Sequence, residues 1–225
     1  MPQRLFAPAG LRARALTDTA RSPEMLALFS ELFGPYPFAG YTIVVTDDEL
    51  EIPLEAQGIS VLGANHVDGA GGSERLVAHE LAHQWFGNSL TAARWQDLWL
   101  HEGFACYAEW LWSEGSGGPV SDVLAATAWK RLSELPQDLL LADPGPDLMF
   151  DDRLYKRGAL ALHALRRQVG DDAFFGLLRS WVAEHRHGSV TTDDLLDHVT
   201  AQAGAPAAEL LRQWVHERAL PRLDR

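Results

Sequence analysis

His79-Glu80-Leu81-Ala82-His83, with Glu102 following after a gap of eighteen residues, brings two imidazoles and two carboxylates together at spacings that suit a single metal ion. On a helix, positions i and i+4 share a face one turn apart, so His79 and His83 can reach a common cation. A borderline-soft Zn²⁺ takes four tetrahedral ligands, and a catalytic centre draws three from the protein and leaves the fourth to water. Glu102 is the natural third, which makes one zinc ion the expected cofactor. Zinc lowers the pKa of a water it binds from about 16 to about 7, and a carboxylate beside that water can take its proton and later hand it to a leaving amine. Glu80, flanked by both histidines, is placed for that role.

The elements that must position these groups follow from apolar periodicity. Leu76, Val77, Leu81, Trp85 and Phe86 recur at helical spacing, predicting a helix over Ser73 to Phe86 that ends at Gly87-Asn88. Leu98, Leu100, Phe104, Ala105, Ala108 and Leu111 predict a second helix over Asp97 to Trp112, with Glu102 in its first turns and facing a cleft where the helices cross. Glu109 lies two turns beyond Glu102 on the same face and can accept the second N–H of a ligand histidine, with Asp97 a weaker candidate for that task. His101 points about 100° away from Glu102 around the helix, which suits it to the border of the pocket rather than the metal. Upstream, a lead over Pro2 to Arg21 precedes a helix from Ser22 to Phe33 with Pro23 at its first turn. Tyr41 to Thr46 and Gly58 to Leu62 read as strands of a small mixed sheet, the latter as an edge open to an extended peptide. Gly115 to Pro119 and Pro136 to Pro146 read as loops. Helices are predicted over Tyr155 to Val169, Asp171 to Arg186, Thr191 to Ala203 with Thr192 as cap, and Pro206 to Ala219.

The 225 residues, 47% of them hydrophobic, can bury a sizeable core as one domain. Nineteen basic against 31 acidic side chains leave a formal charge of −12, which argues against a nucleic-acid partner. The single cysteine, Cys106, can form no disulfide within the chain. No run of eighteen apolar residues and no basic-then-apolar leader is present, so no membrane partner is expected and the expected location is cytoplasmic. His163, His185, His187, His198 and His216 are scattered without ligand spacing and read as structural or solvated. The eight tryptophans, Trp85, Trp95, Trp99, Trp110 and Trp112 among them, read as packing groups.

Val77 to Asn88 and Trp95 to Ala105 resemble the zinc-site signature of the aminopeptidase N family, gluzincin metallopeptidases with a thermolysin-like catalytic domain. The similarity runs from Gly34-Pro35-Tyr36-Pro37-Phe38 to the segment from Leu210 through Pro221. It implies an α+β fold, a small mixed sheet followed by a mainly helical lobe, with a sheet-bearing half over about 1–115, a helical half over about 116–225 and the cleft between them. It also implies two further site residues. Glu55 falls where the family has Gly-Ala-Met-Glu-Asn, whose glutamate grips the substrate's α-ammonium; here only the glutamate and a large apolar neighbour are kept. Tyr155 resembles the family's tyrosine that hydrogen-bonds the tetrahedral oxyanion, with Arg157 standing where lysine is more usual. The implied activity is hydrolysis of amino-terminal peptide bonds, on peptides with a free N-terminus. The family carries an all-β domain ahead of this segment, so an excised catalytic domain is expected, with that N-terminal β domain of the same parent as its neighbour. Two alternatives stand beside it: a non-catalytic zinc-containing scaffold that binds peptides, and the same zinc chemistry turned to an endopeptidase or epoxide hydrolase.

Overall fold

Tyr41, Ile43 and Val45 are buried while the residues between them are not, and that alternation makes this run a strand with its apolar face turned to the helices. The computed structural model describes residues 1–223. Its elements are β1 (Gln3–Phe6), α1 (Arg12–Asp18), α2 (Ser22–Phe33), β2 (Tyr41–Val45), β3 (Leu54–Ala56), β4 (Ile59–Leu62), α3 (Glu74–Ala82), β5 (Leu90–Ala92), α4 (Trp99–Gly115), α5 (Ser121–Ser133), α6 (Asp152–Val169), α7 (Asp171–Glu184), β6 (Gly188–Val190), α8 (Thr192–Ala203) and α9 (Ala205–His216). The sheet runs β1-β2-β4-β3, with β1, β2 and β4 parallel and β3 antiparallel to β4. β5 and β6 form a separate parallel pair that ties the segment before α4 to the turn before α8.

Several boundaries differ from expectation. The lead contains β1 and α1, because Gln3-Arg4-Leu5-Phe6 owes its strand to pairing with β2 rather than to its own half-polar pattern. β4 lies inside the sheet and β3 forms the edge, so the open edge carries Glu55. α3 stops at Ala82 with His83 as its cap, and the chain then folds back through Gly87 at φ +125°, closed by Asn88 N–H to His83 O and Leu90 N–H to Trp85 O. α5 buries only Ser121, Ala125 and Leu132, too few apolar positions to announce a helix. α7 ends at Glu184 and α9 at His216, each short of its expected end. α8 is capped by Thr191, which accepts from Asp194 N–H, while Thr192 Oγ1 instead donates to Asp97 and receives Trp99 Nε1–H.

One hydrophobic core runs through the sheet-bearing and helical parts. Its axis is the contact of α4 with α6, where Gly103 faces Gly158 so closely that a Cβ on Gly103 would lie 2.8 Å from Gly158 Cα. Trp85, Trp99, Trp181 and Trp214 fill the interior, but Trp95, expected to pack, is 67% exposed beside the cleft. No helix among the described residues is long and apolar enough to cross a membrane.

Candidate metal centre and cleft

α3 and α4 cross so that Glu102 Oε2 lies 3.3 Å from His79 Nε2 and 3.6 Å from His83 Nε2, all three side chains buried. A tetrahedral zinc with bonds of about 2.0–2.1 Å separates its ligand atoms by about 3.4 Å, so both separations suit such a centre. The opposite ring nitrogens are already committed: His79 Nδ1 lies 2.8 Å from Glu109 Oε1, and His83 Nδ1 lies 3.0 Å from the Phe86 carbonyl. Both partners are acceptors, so each Nδ1 carries the hydrogen and each Nε2 turns its lone pair toward the common point. The donor set therefore fits zinc in type, spacing and tautomer.

Burial alone would discharge this site, yet the carboxylate and a positive charge at the common point favour each other. Glu102 is penalised by burial, but attraction from His83 and hydrogen bonds from both imidazoles hold its pKa below the usual carboxylate range. His83 likewise loses to burial and gains more from Glu102, ending above its ordinary value. The centre is thus a place where positive charge is strongly favoured. Glu109 stays ionised despite burial because His79, Lys156 and Arg75 surround it, Arg75 at 2.8 Å and Lys156 at 3.9 Å. Asp97, the weaker candidate for that place, holds the N-terminus of α8 instead, accepting from Thr192 N–H at 3.0 Å and from its hydroxyl at 2.7 Å.

Glu80 differs from every other carboxylate here. Its Oε2 is buried without a hydrogen-bond partner, and burial lifts its pKa above the ordinary value. An unpartnered carboxylate oxygen beside the donor set is suited to take and return a proton. Tyr155 stands in the first turn of α6, whose cap Asp151 accepts from Arg153 N–H at 2.9 Å. Its ring stacks 6.1 Å from that of His79. Burial and the fields of Glu102, Glu55 and Glu80 raise its pKa, which keeps the hydroxyl a donor.

Glu55, half-buried on β3, lines the same cleft of about 590 Å³ as Tyr155, Glu80 and the three donors. Gln84, which sequence reasoning passed over, positions it: Oε1 accepts from Gly58 N–H at 2.8 Å and Nε2 donates to Ala56 O at 3.1 Å, fastening the β3–β4 hairpin to the end of α3. The only signal for Gln84 was a polar residue next to a ligand histidine in an apolar run. His101 borders the cleft as expected, accepting from Ala92 N–H at 2.7 Å, and burial lowers its pKa to about 4. Ile52, Leu54, Trp95 and Phe150 are each more than half exposed along the cleft. Away from it, the histidines are not all scattered, since Glu184, His185 and His198 bring ligand atoms within 4.8 Å of one another.

A His-Glu-x-x-His helix crossed by a helix bearing a glutamate, set beside a small mixed sheet, defines a metallopeptidase domain of the gluzincin type. A profile of the Peptidase family M1 domain matches residues 20–214, and the chain belongs to that family. It is similar to the M1 zinc metallopeptidase from Deinococcus radiodurans, at 42% identity and a TM-score of 0.88 over 98% of this chain and 49% of that one. Probable M1 family aminopeptidase 2 of Encephalitozoon cuniculi is 29% identical over 87% of this chain, and Aminopeptidase M1-A of Oryza sativa 27% identical over 96%. Leukotriene A4 hydrolase from Saccharomyces cerevisiae shares the fold, at 20% identity and a TM-score of 0.83. The chain spans 26% and 28% of the length of the two curated aminopeptidases.

Proposed function

We propose that this chain is the catalytic domain of a zinc aminopeptidase that removes residues from the amino end of peptides. The observation that carries it is the convergence of His79 Nε2, His83 Nε2 and Glu102 Oε2 beside the unpartnered oxygen of Glu80. Zinc, when held by these three side chains, supplies Lewis acidity toward water and toward a carbonyl oxygen. Glu80 takes the proton of the attacking water and delivers it to the departing amine nitrogen, and its raised pKa moves it toward the range where a group serves as base and then acid. Tyr155 donates its hydroxyl hydrogen to the oxyanion that forms on the attacked carbonyl. Glu55 pairs with the substrate's α-ammonium, a cation that an internal peptide bond does not offer. The outer edge of β3 supplies backbone groups to an extended chain.

Further support comes from the relatives: a mutant of the Deinococcus radiodurans metallopeptidase has been crystallised with a Tyr-Ser-Ala substrate. The share of those relatives that this chain covers, 49% of the Deinococcus chain, supports a second domain of the same parent as its working neighbour, and the family resemblance makes that domain an N-terminal β domain.

The test is release of a chromophore from amino-acid anilides by zinc-loaded protein, by Glu80→Ala and by Tyr155→Phe. Turnover by the native protein that collapses in both variants is expected, and equal rates in all three would reject the mechanism. Acetylating the amino terminus of a good peptide should abolish its cleavage. Retained cleavage would point to an endopeptidase, and tight binding of peptides with no turnover to a scaffold.

A further inference from the structure

Glu184 ends α7, His185 caps it, and His198 projects from α8 toward both. None of the three lines the catalytic cleft, and nothing in the mechanism uses them. His198 is buried, and its hydrogen-bonding pattern assigns its tautomer. Nε2 lies 3.2 Å from the Leu177 carbonyl and 3.0 Å from Ser180 Oγ. The Ser180 hydroxyl already donates to Leu177 O at 2.9 Å, so both neighbours of Nε2 are acceptors and Nε2 carries the hydrogen.

The lone pair of Nδ1 then faces Glu184 Oε2 at 3.3 Å. A metal ion between them would satisfy both acceptors. His185 completes the group. Its ring, held 4.2 Å from that of Trp181, brings a nitrogen within 4.8 Å of the other two donor atoms. A metal ion held there would draw a donor atom from each of the three side chains. The bond from His198 to a backbone carbonyl is also the arrangement that sets His83 in the catalytic centre.

We propose that Glu184, His185 and His198 form a second site for a divalent transition-metal ion, clamping the end of α7 to α8. Two imidazole nitrogens and one carboxylate oxygen suit zinc, cobalt, nickel or copper, and the 54% exposure of the Glu184 side chain leaves room for water to complete the coordination. The turn that the clamp would brace leads into β6, whose pairing with β5 reaches the segment before α4.

The probe is Zn²⁺ alone, titrated by calorimetry into the metal-stripped chain. Two equivalents are expected, the weaker of them lost or weakened at least tenfold in Glu184→Gln and in His185→Ala, with the tighter one retained. Buried His198 is left intact so that folding is not disturbed, and its Nδ1 resonance should shift as the weaker equivalent binds. In His79→Ala the weaker equivalent should persist, which separates this site from the catalytic one. A single equivalent in the native chain, or a second that survives both substitutions unweakened, overturns the proposal.

Discussion

His79, His83 and Glu102 are held by two crossing helices at the floor of a cleft, whereas Glu184, His185 and His198 lie at a helix junction with the glutamate open to solvent. Both trios offer two nitrogens and one oxygen within 4.8 Å, so ligand chemistry alone does not separate them. Their surroundings do. The first has an unpartnered carboxylate beside it in Glu80, a phenol across from it in Tyr155, and a buried, charge-supported acceptor behind it in Glu109. The second has Trp181 and Ser180 as neighbours, which can position a ring but move no proton to a substrate. Binding a metal and using it are thus distinct demands on the fold.

Substitutions can break that contrast in graded ways. The largest effect is expected from Glu80→Gln, which should lower kcat about 10²–10⁴-fold while zinc content, read by elemental analysis, stays near that of the native chain. Glu184→Gln should leave turnover within about twofold, because its carboxylate touches nothing in the cleft. If the two variants lose activity equally, the division of roles fails. Tyr155→Phe should cost about 10²–10³ in kcat with little change in KM, as for loss of one oxyanion donor. Glu109→Gln should weaken zinc about 10–100-fold, measured by competition with a chromogenic chelator. Undiminished affinity would mean that the His79 tautomer is fixed without it.

The smallest effect concerns pH. His101 is held neutral by burial, with a pKa of about 4 against 6.5 in an unfolded chain. Between those values the unfolded chain binds a proton that the folded one refuses, so stability declines as pH falls from about 6.5 to about 4. His101→Asn should flatten that part of the Tm profile relative to the native chain. A slope identical in both would remove His101 from the account.

The trio in the cleft was legible because helical periodicity acts over short range. His79 to His83 is one turn, and Glu102 to Glu109 two turns of the next helix, so spacing alone put each on a common face. The second trio joins Glu184-His185 to a histidine on a different helix, a proximity that only the packing of α7 on α8 creates. β1 was missed for a related reason, since four residues with an arginine among them become a strand only once β2 lies alongside. The end of α3 escaped because Trp85 and Phe86 keep helical spacing while occupying tight turns, their burial met by the fold of the loop rather than by the helix. Glu55 was identified through its likeness to a family motif, and its position on the sheet edge came from the hairpin that Gln84 fastens.

Gly103 and Gly158 have a mechanical consequence for the chemistry. Gly103 directly follows Glu102, and Gly158 comes three residues after Tyr155, so the metal-facing carboxylate and the phenol ride on helices that meet main chain to main chain. With no side chain interposed, there is no rotamer there to absorb motion, and the gap between Glu102 and Tyr155 inherits the stiffness of the backbone itself. A methyl at either glycine would push the two helices apart and widen the gap between Glu102 and Tyr155 while touching neither.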